Sequence, residues 1–319
     1  MGVTRVIRKK NNDERTVWEA FKEFQIEKKI LGIEEKTIQN YEQSIKRFMT
    51  GMKWDDIQLM ELEQSDIMKF IANLQEQELS TETINHYLRD LRAFFNWCSH
   101  IGYMEKIEVK MVKGQEVFKE TYTDEELQLL LEKPRTDKYC EWRSWAVINW
   151  ILATGNREMT ICNIKIGDIN IVDKEILIRR AKNKKTQIIP MSTELSFILR
   201  QFVREFRSDA KEEDYLFCNV AGEKSTEDAL KQSIRDYNYS RGVQRSSVHA
   251  FRHTFAKLWI RNNGDVFRLQ KMLGHSTLDM TRRYVNLFSS DLQEGFDNYS
   301  PLDKMKRKNR LKHLVKRKK

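Results

Sequence analysis

The chain has 319 residues, 40% apolar and 33% charged, with three prolines and twelve glycines; this excludes a disordered or collagen-like polymer and, at about 100–200 residues per domain, suggests two domains. No run approaches the roughly 18 uncharged apolar residues of a membrane span, and charges fill Met1 to Arg15 where a signal peptide has its apolar core, so a soluble, cytoplasmic protein is expected. The net charge of +10 resides in the tail from Lys304 to Lys319, which holds ten Lys or Arg and no acid and suits a polyanion partner. Cys98, Cys140, Cys162 and Cys218 show no Cys-x-x-Cys spacing and no nearby His pair, which argues against zinc sites and a disulfide framework.

In chain order, Trp18, Phe21 and Phe24, then Ile38, Tyr41, Ile45 and Phe48, recur at three- and four-residue steps. This spacing predicts two amphipathic helices, with Gly32 and Gly51 as their stops. Ile67, Phe70, Ile71 and Leu74 define a third helix after Ser65 as cap; Ile84, Leu88, Leu91, Phe95 and Cys98 define a fourth that starts at Ser80. After an N-terminal extension over 1–15, residues 16–106 are therefore expected to form a small all-α domain. Thr83, Asn85, Arg89 and Arg92 fall off the apolar face of its last helix, toward either a DNA groove or plain solvent.

Over 107–120 the apolar period breaks around Gly114, the mark of a linker. The second domain, 121–303, opens on Thr123-Asp124-Glu125-Glu126, a capping box ahead of Leu127, Leu130 and Leu131. Trp142, Trp145, Ile148 and Leu152 predict a core helix over 141–153. Ile169 and Ile171, then Ile176 and Ile178, alternate around Asp173-Lys174 as two short strands, and 186–189 supplies a third. Helices are predicted over 192–206, 226–237, 248–261 and 266–273, and the basic tail occupies 304–319. The expected fold class is mainly α: a four-helix domain and a larger, mostly α domain with a small antiparallel sheet.

The missing motifs narrow the chemistry. Neither a Gly-x-x-x-x-Gly-Lys-Ser/Thr loop nor Gly-x-Gly-x-x-Gly is present, and the acidic clusters at Asp55-Asp56, Asp124 to Glu126 and Glu212 to Asp214 fall in caps or loops, so no nucleotide cofactor and no metal is expected. What remains is cationic, imidazole and phenol groups of the second domain. Arg157 follows Thr154-Gly155-Asn156; Lys182 lies between two strands, with Lys184 and Lys185 as rivals for the same place; His249 and Arg252 stand three apart on one helix; His275 follows Leu273-Gly274; and Tyr284 comes nine residues later. Singly, each has a bland explanation as an ion pair, a wet hairpin tip or a helix cap. In this order they resemble the tyrosine recombinase family of phage and transposon integrases and Xer-type resolvases. The four-helix front half also resembles that family's core-binding domain, so the likeness covers nearly the whole chain. One departure stands out: Thr160 occupies the position, three after the first Arg, where the family commonly has an acid. On a helix, Glu158 points well away from that position.

The resemblance implies a site-specific recombinase or integrase acting on double-stranded DNA through a 3′-phosphotyrosyl intermediate, in integration, excision or transposition. Tyr284 is then the nucleophile, Arg157 and Arg252 hold the phosphate oxygens, His249 accepts the phenol proton, Lys182 protonates the departing 5′ oxygen and His275 donates to the phosphate. It further implies a homo-tetramer on paired DNA sites, with accessory DNA-bending or directionality proteins as further partners. Phe288, Leu292 and Phe296, spaced by four, form a stripe that packs either on its own domain or on a neighbouring protomer, and Pro301 ends it. Few residues precede the first helix, so an additional arm-type DNA-binding domain is not expected. The alternatives are a type IB topoisomerase-like or hairpin-forming resolvase, and a DNA-binding regulator with a dead site.

Overall fold

The computed structural model of the chain describes residues 15–114, 120–179, 186–275, 277–287 and 300. Two compact units result, Met1–Val117 and Phe118–Lys319. The architecture is mainly α with one small antiparallel sheet, as composition and periodicity predict.

The first unit consists of α1 (Val17–Ile30), α2 (Glu35–Met52), α3 (Gln64–Glu76) and α4 (Thr81–Ile101). Phe21, Phe24, Phe48, Phe70, Phe94 and Phe95 fill its core, for example with Phe48 edge-on to Phe70 at 5.1 Å. Two local expectations are corrected. Gly51 does not stop α2, which ends at Lys53 in a left-handed turn (φ 60°); a Cβ at Gly51 would lie 3.2 Å from the Phe70 ring, so the glycine serves close packing of α3. Glu63, not Ser65, caps α3, and its own N–H donates to the Asp66 carboxylate at 3.0 Å. Ser80 caps α4 as predicted, accepting from Thr83 N. The chain keeps packing on this core after the apolar period stops, for Ile107 and Val109 are buried in it.

In the second unit α5 (Asp124–Leu131) starts on the Thr123 capping box, and α6 (Tyr139–Thr154) runs through the centre of the core. Trp142, Trp145, Val147, Ile148, Trp150 and Ile151 are all buried, so α6 is apolar on nearly every side, as a central helix must be. After α7 (Glu158–Asn163), strands β1 (Ile169–Asn170), β2 (Glu175–Arg179) and β3 (Thr186–Pro190) pair antiparallel in that order, with Ile176 opposite Ile189 and both pointing inward. Then come α8 (Thr193–Phe206), α9 (Glu227–Ser240), α10 (Val248–Arg261), α11 (Val266–Leu273) and α12 (Leu278–Leu287). Among the described residues no helix is long and apolar enough to cross a membrane.

Candidate active site

The site is built where four helix ends meet. The C-terminus of α6 turns at Gly155, whose φ of +66° suits glycine, and leads through Asn156 to Arg157 at the N-cap of α7. A Cβ at Gly155 would lie 2.5 Å from Phe255 and 2.7 Å from Leu273. Gly155→Ala is therefore expected to destabilise the fold by about 2 kcal/mol or more through overpacking and a disfavoured backbone. Its thermal midpoint should fall by several degrees, and an unchanged midpoint would show that the turn is slack.

Arg252, on α10, is buried and uses its guanidinium as a hub. It donates to the Gly155 carbonyl at the end of α6, to the Leu273 carbonyl at the end of α11 (2.9 Å) and to His275 Nε2 (3.0 Å). Arginine can only donate, so Nε2 of His275 accepts and the ring proton sits on Nδ1, which reaches Thr281 Oγ1 on α12 at 2.9 Å. Gly274, with φ +65°, places His275 there by ending α11 in a left-handed cap.

Tyr284 lies on α12 one turn beyond Thr281, with only 6% of its surface exposed. Its ring is parallel to that of His275, 6.2 Å between centroids. Burial pushes the phenol's pKa up, while the charges of Arg252 and Arg157 pull it down. Burial, and after it the charge of Arg157, pulls the Arg252 guanidinium down to about 10. The two arginines and the phenol thus share one electrostatic field. Arg157 is exposed, and its guanidinium has no ion-pair or hydrogen-bond partner among the described residues.

His249 stands on the solvent side of this cluster. Its side chain is 60% exposed and its Nε2 lies 3.6 Å from the Glu158 carboxylate, which is buried and acts on the charge of Arg252 as well. Glu158 therefore supplies a carboxylate at the site although it follows Arg157 directly, and it faces the imidazole rather than holding Arg157. The imidazole hydrogen-bonded to the Tyr284 hydroxyl is that of His253, through Nδ1 at 2.8 Å. Sequence reasoning missed His253. Its only signal was its place directly after Arg252, which says nothing until α12 is packed against α10. Lys182, with its rivals Lys184 and Lys185, lies outside the described residues, as do the stripe Phe288, Leu292, Phe296 and the basic tail.

Of the four residues on the first unit's last helix, Asn85 exchanges two hydrogen bonds with the backbone of Val112 (2.9 and 2.8 Å), and Arg92 donates to the Val109 carbonyl at 2.7 Å. Both therefore hold the segment that follows α4. Thr83 pairs with the cap Ser80 at 2.8 Å, which leaves Arg89 as the exposed cation of the four.

A model of the phage integrase family matches residues 120–290, and one of the phage integrase N-terminal SAM-like domain matches residues 21–103. The chain thus belongs to the phage integrase family and is a tyrosine recombinase. Among its relatives, the tyrosine recombinase XerD of Staphylococcus haemolyticus is 24% identical over 90% of this chain and 99% of its own length. A lambda integrase dimer bound to a COC′ core site shares the fold at a TM-score of 0.69 and 16% identity, over 85% of this chain and 95% of that one. A lambda integrase tetramer bound to a Holliday junction does so at 0.66 and 17%, over 86% and 78%.

Proposed function

We propose that this chain exchanges DNA strands at specific sites by transient covalent attachment through Tyr284, with four protomers acting on two duplexes. The observation that supports this is the Tyr284 hydroxyl lying in the combined field of Arg157 and Arg252 within one chain. Attack on a phosphodiester concentrates negative charge on the non-bridging oxygens, which planar guanidinium forks stabilise two at a time. Arg157, exposed and unpaired among the described residues, meets the phosphate first; Arg252, held by two helix-end carbonyls, is oriented before the substrate arrives.

His249 offers an N–H from the solvent side, 3.6 Å from the Glu158 carboxylate. His275 holds Arg252 and α12 in register. Lys182 gives the departing 5′ oxygen its proton. The bond energy is kept in the phosphotyrosine link, so a 5′ hydroxyl from a second strand reverses the step. Phosphate contacts would position the duplex, and a few groove contacts such as Arg89 would add discrimination. The tetramer rests on likeness to the lambda integrase tetramer on a Holliday junction, and a mobile-element role on the family.

The test is a pair of duplexes carrying a site recovered by binding selection from random-sequence DNA, with flanks of different length. Products with exchanged flanks, formed in EDTA without ATP, are expected. Relaxation of a supercoiled plasmid with no flank exchange would favour the topoisomerase-like reading instead, and binding with no cleavage would favour a regulator.

A further inference from the structure

We propose that His253, and not His249, takes up the proton of the Tyr284 hydroxyl as that oxygen attacks phosphorus. The inference rests on the strand-exchange reading above and deepens it. His253 Nδ1 is 2.8 Å from the phenol oxygen, within proton-transfer reach, and the two ring centroids are 5.6 Å apart. The only side-chain hydrogen bond of the phenol oxygen among the described residues is the one to His253. Its own hydrogen, in a site where the side chain is 6% exposed, needs an acceptor, and His253 Nδ1 provides one when the imidazole carries its proton on Nε2.

The other two imidazoles are occupied differently. His275 receives Arg252 at Nε2 and engages Thr281 through Nδ1, so it has no lone pair to offer. His249 is turned toward Glu158. The geometry is also built rather than incidental. Residues 252 and 253 are successive on α10, about 100° apart around its axis, so one rigid helix presents the phosphate ligand and the base together. The Thr281 tie and the His275 ring fix α12 one turn before the phenol.

In the forward step the Tyr284 O–H bond breaks and an Nδ1–H bond forms on His253. The tyrosine oxygen bonds to phosphorus, the bond from phosphorus to the 5′ oxygen breaks, and that oxygen takes a proton from Lys182. In rejoining, the incoming 5′ hydroxyl gives its proton to Lys182 as its oxygen bonds to phosphorus, the bond from phosphorus to the tyrosine oxygen breaks, and the imidazolium of His253 returns its proton to the departing phenolate, so no oxidant, reductant or further reactant is consumed.

The experiment uses the full chain and a nicked duplex carrying the selected site, made with either oxygen or sulfur at the scissile 5′ position. A thiolate departs without needing a proton, since thiols ionise near pH 8.5. His253→Ala is expected to slow covalent adduct formation about a hundredfold or more on both substrates, with DNA affinity unchanged. Lys182→Ala should be slow on the oxygen substrate and recover on sulfur. His253→Asn keeps an amide oxygen near the place of Nδ1 but cannot hold the proton; it should fold and stay slow, which keeps the test open if the alanine variant unfolds. Wild-type or faster rates in either His253 variant, or recovery of His253→Ala on sulfur, would overturn the assignment. Failure of the wild-type chain to form any adduct would instead reject the strand-exchange reading on which it stands.

Discussion

Tyr284→Phe is expected to reduce the covalent protein–DNA adduct to background while the variant stays folded and binds DNA. The phenol oxygen is the atom that would bond to phosphorus, and nothing else in the cluster replaces it: the three imidazoles are held by Tyr284, Glu158 or Arg252, and the arginines are cations. Loss of the hydroxyl removes one partner from His253, a stability change of about 1 kcal/mol. The measurement is denaturing gel electrophoresis of a labelled nicked duplex. An adduct of equal abundance in the variant would remove Tyr284 from the mechanism.

The second large effect concerns the arginines, which the structure separates. Arg157→Ala should lower the cleavage rate by a few hundredfold, on the order of 3–4 kcal/mol of transition-state stabilisation, at unchanged folding stability, because that guanidinium is exposed and supports no other group among the described residues. Arg252→Ala should lose as much rate and also lose stability, since the carbonyls of Gly155 and Leu273 are left without their donor in a buried site. Rate constants on the nicked duplex and urea midpoints of both variants check this. A stability loss in Arg157→Ala equal to that in Arg252→Ala would mean that position 157 acts through the fold.

How much of this was legible in the sequence follows from how local each cause is. Helices α10 and α11 were read at the bounds they have, and the Thr123 capping box was visible, because a cap is decided within a few residues. The strands around Asp173-Lys174 showed through their alternation. Gly51 misled because a glycine that makes room for a neighbouring ring looks, in one dimension, like one that ends a helix. Asn85 and Arg92 misled in the same way: only the return of residues 109–112 along α4 reveals that their polar atoms are used within the unit. The link between His253 and Tyr284 spans 31 residues and depends on how α12 docks, which no spacing rule encodes.

Shelter around the Tyr284 oxygen also bears on what this enzyme avoids becoming. A phosphotyrosine formed at Tyr284, where so little solvent reaches, would be guarded from hydrolysis, and an incoming strand that brings its own hydroxyl into register would be the favoured attacker. On the proposed mechanism, the same crowding that makes the Tyr284 phenol hard to ionise would separate a reversible exchanger of ends from a nuclease that leaves strands broken.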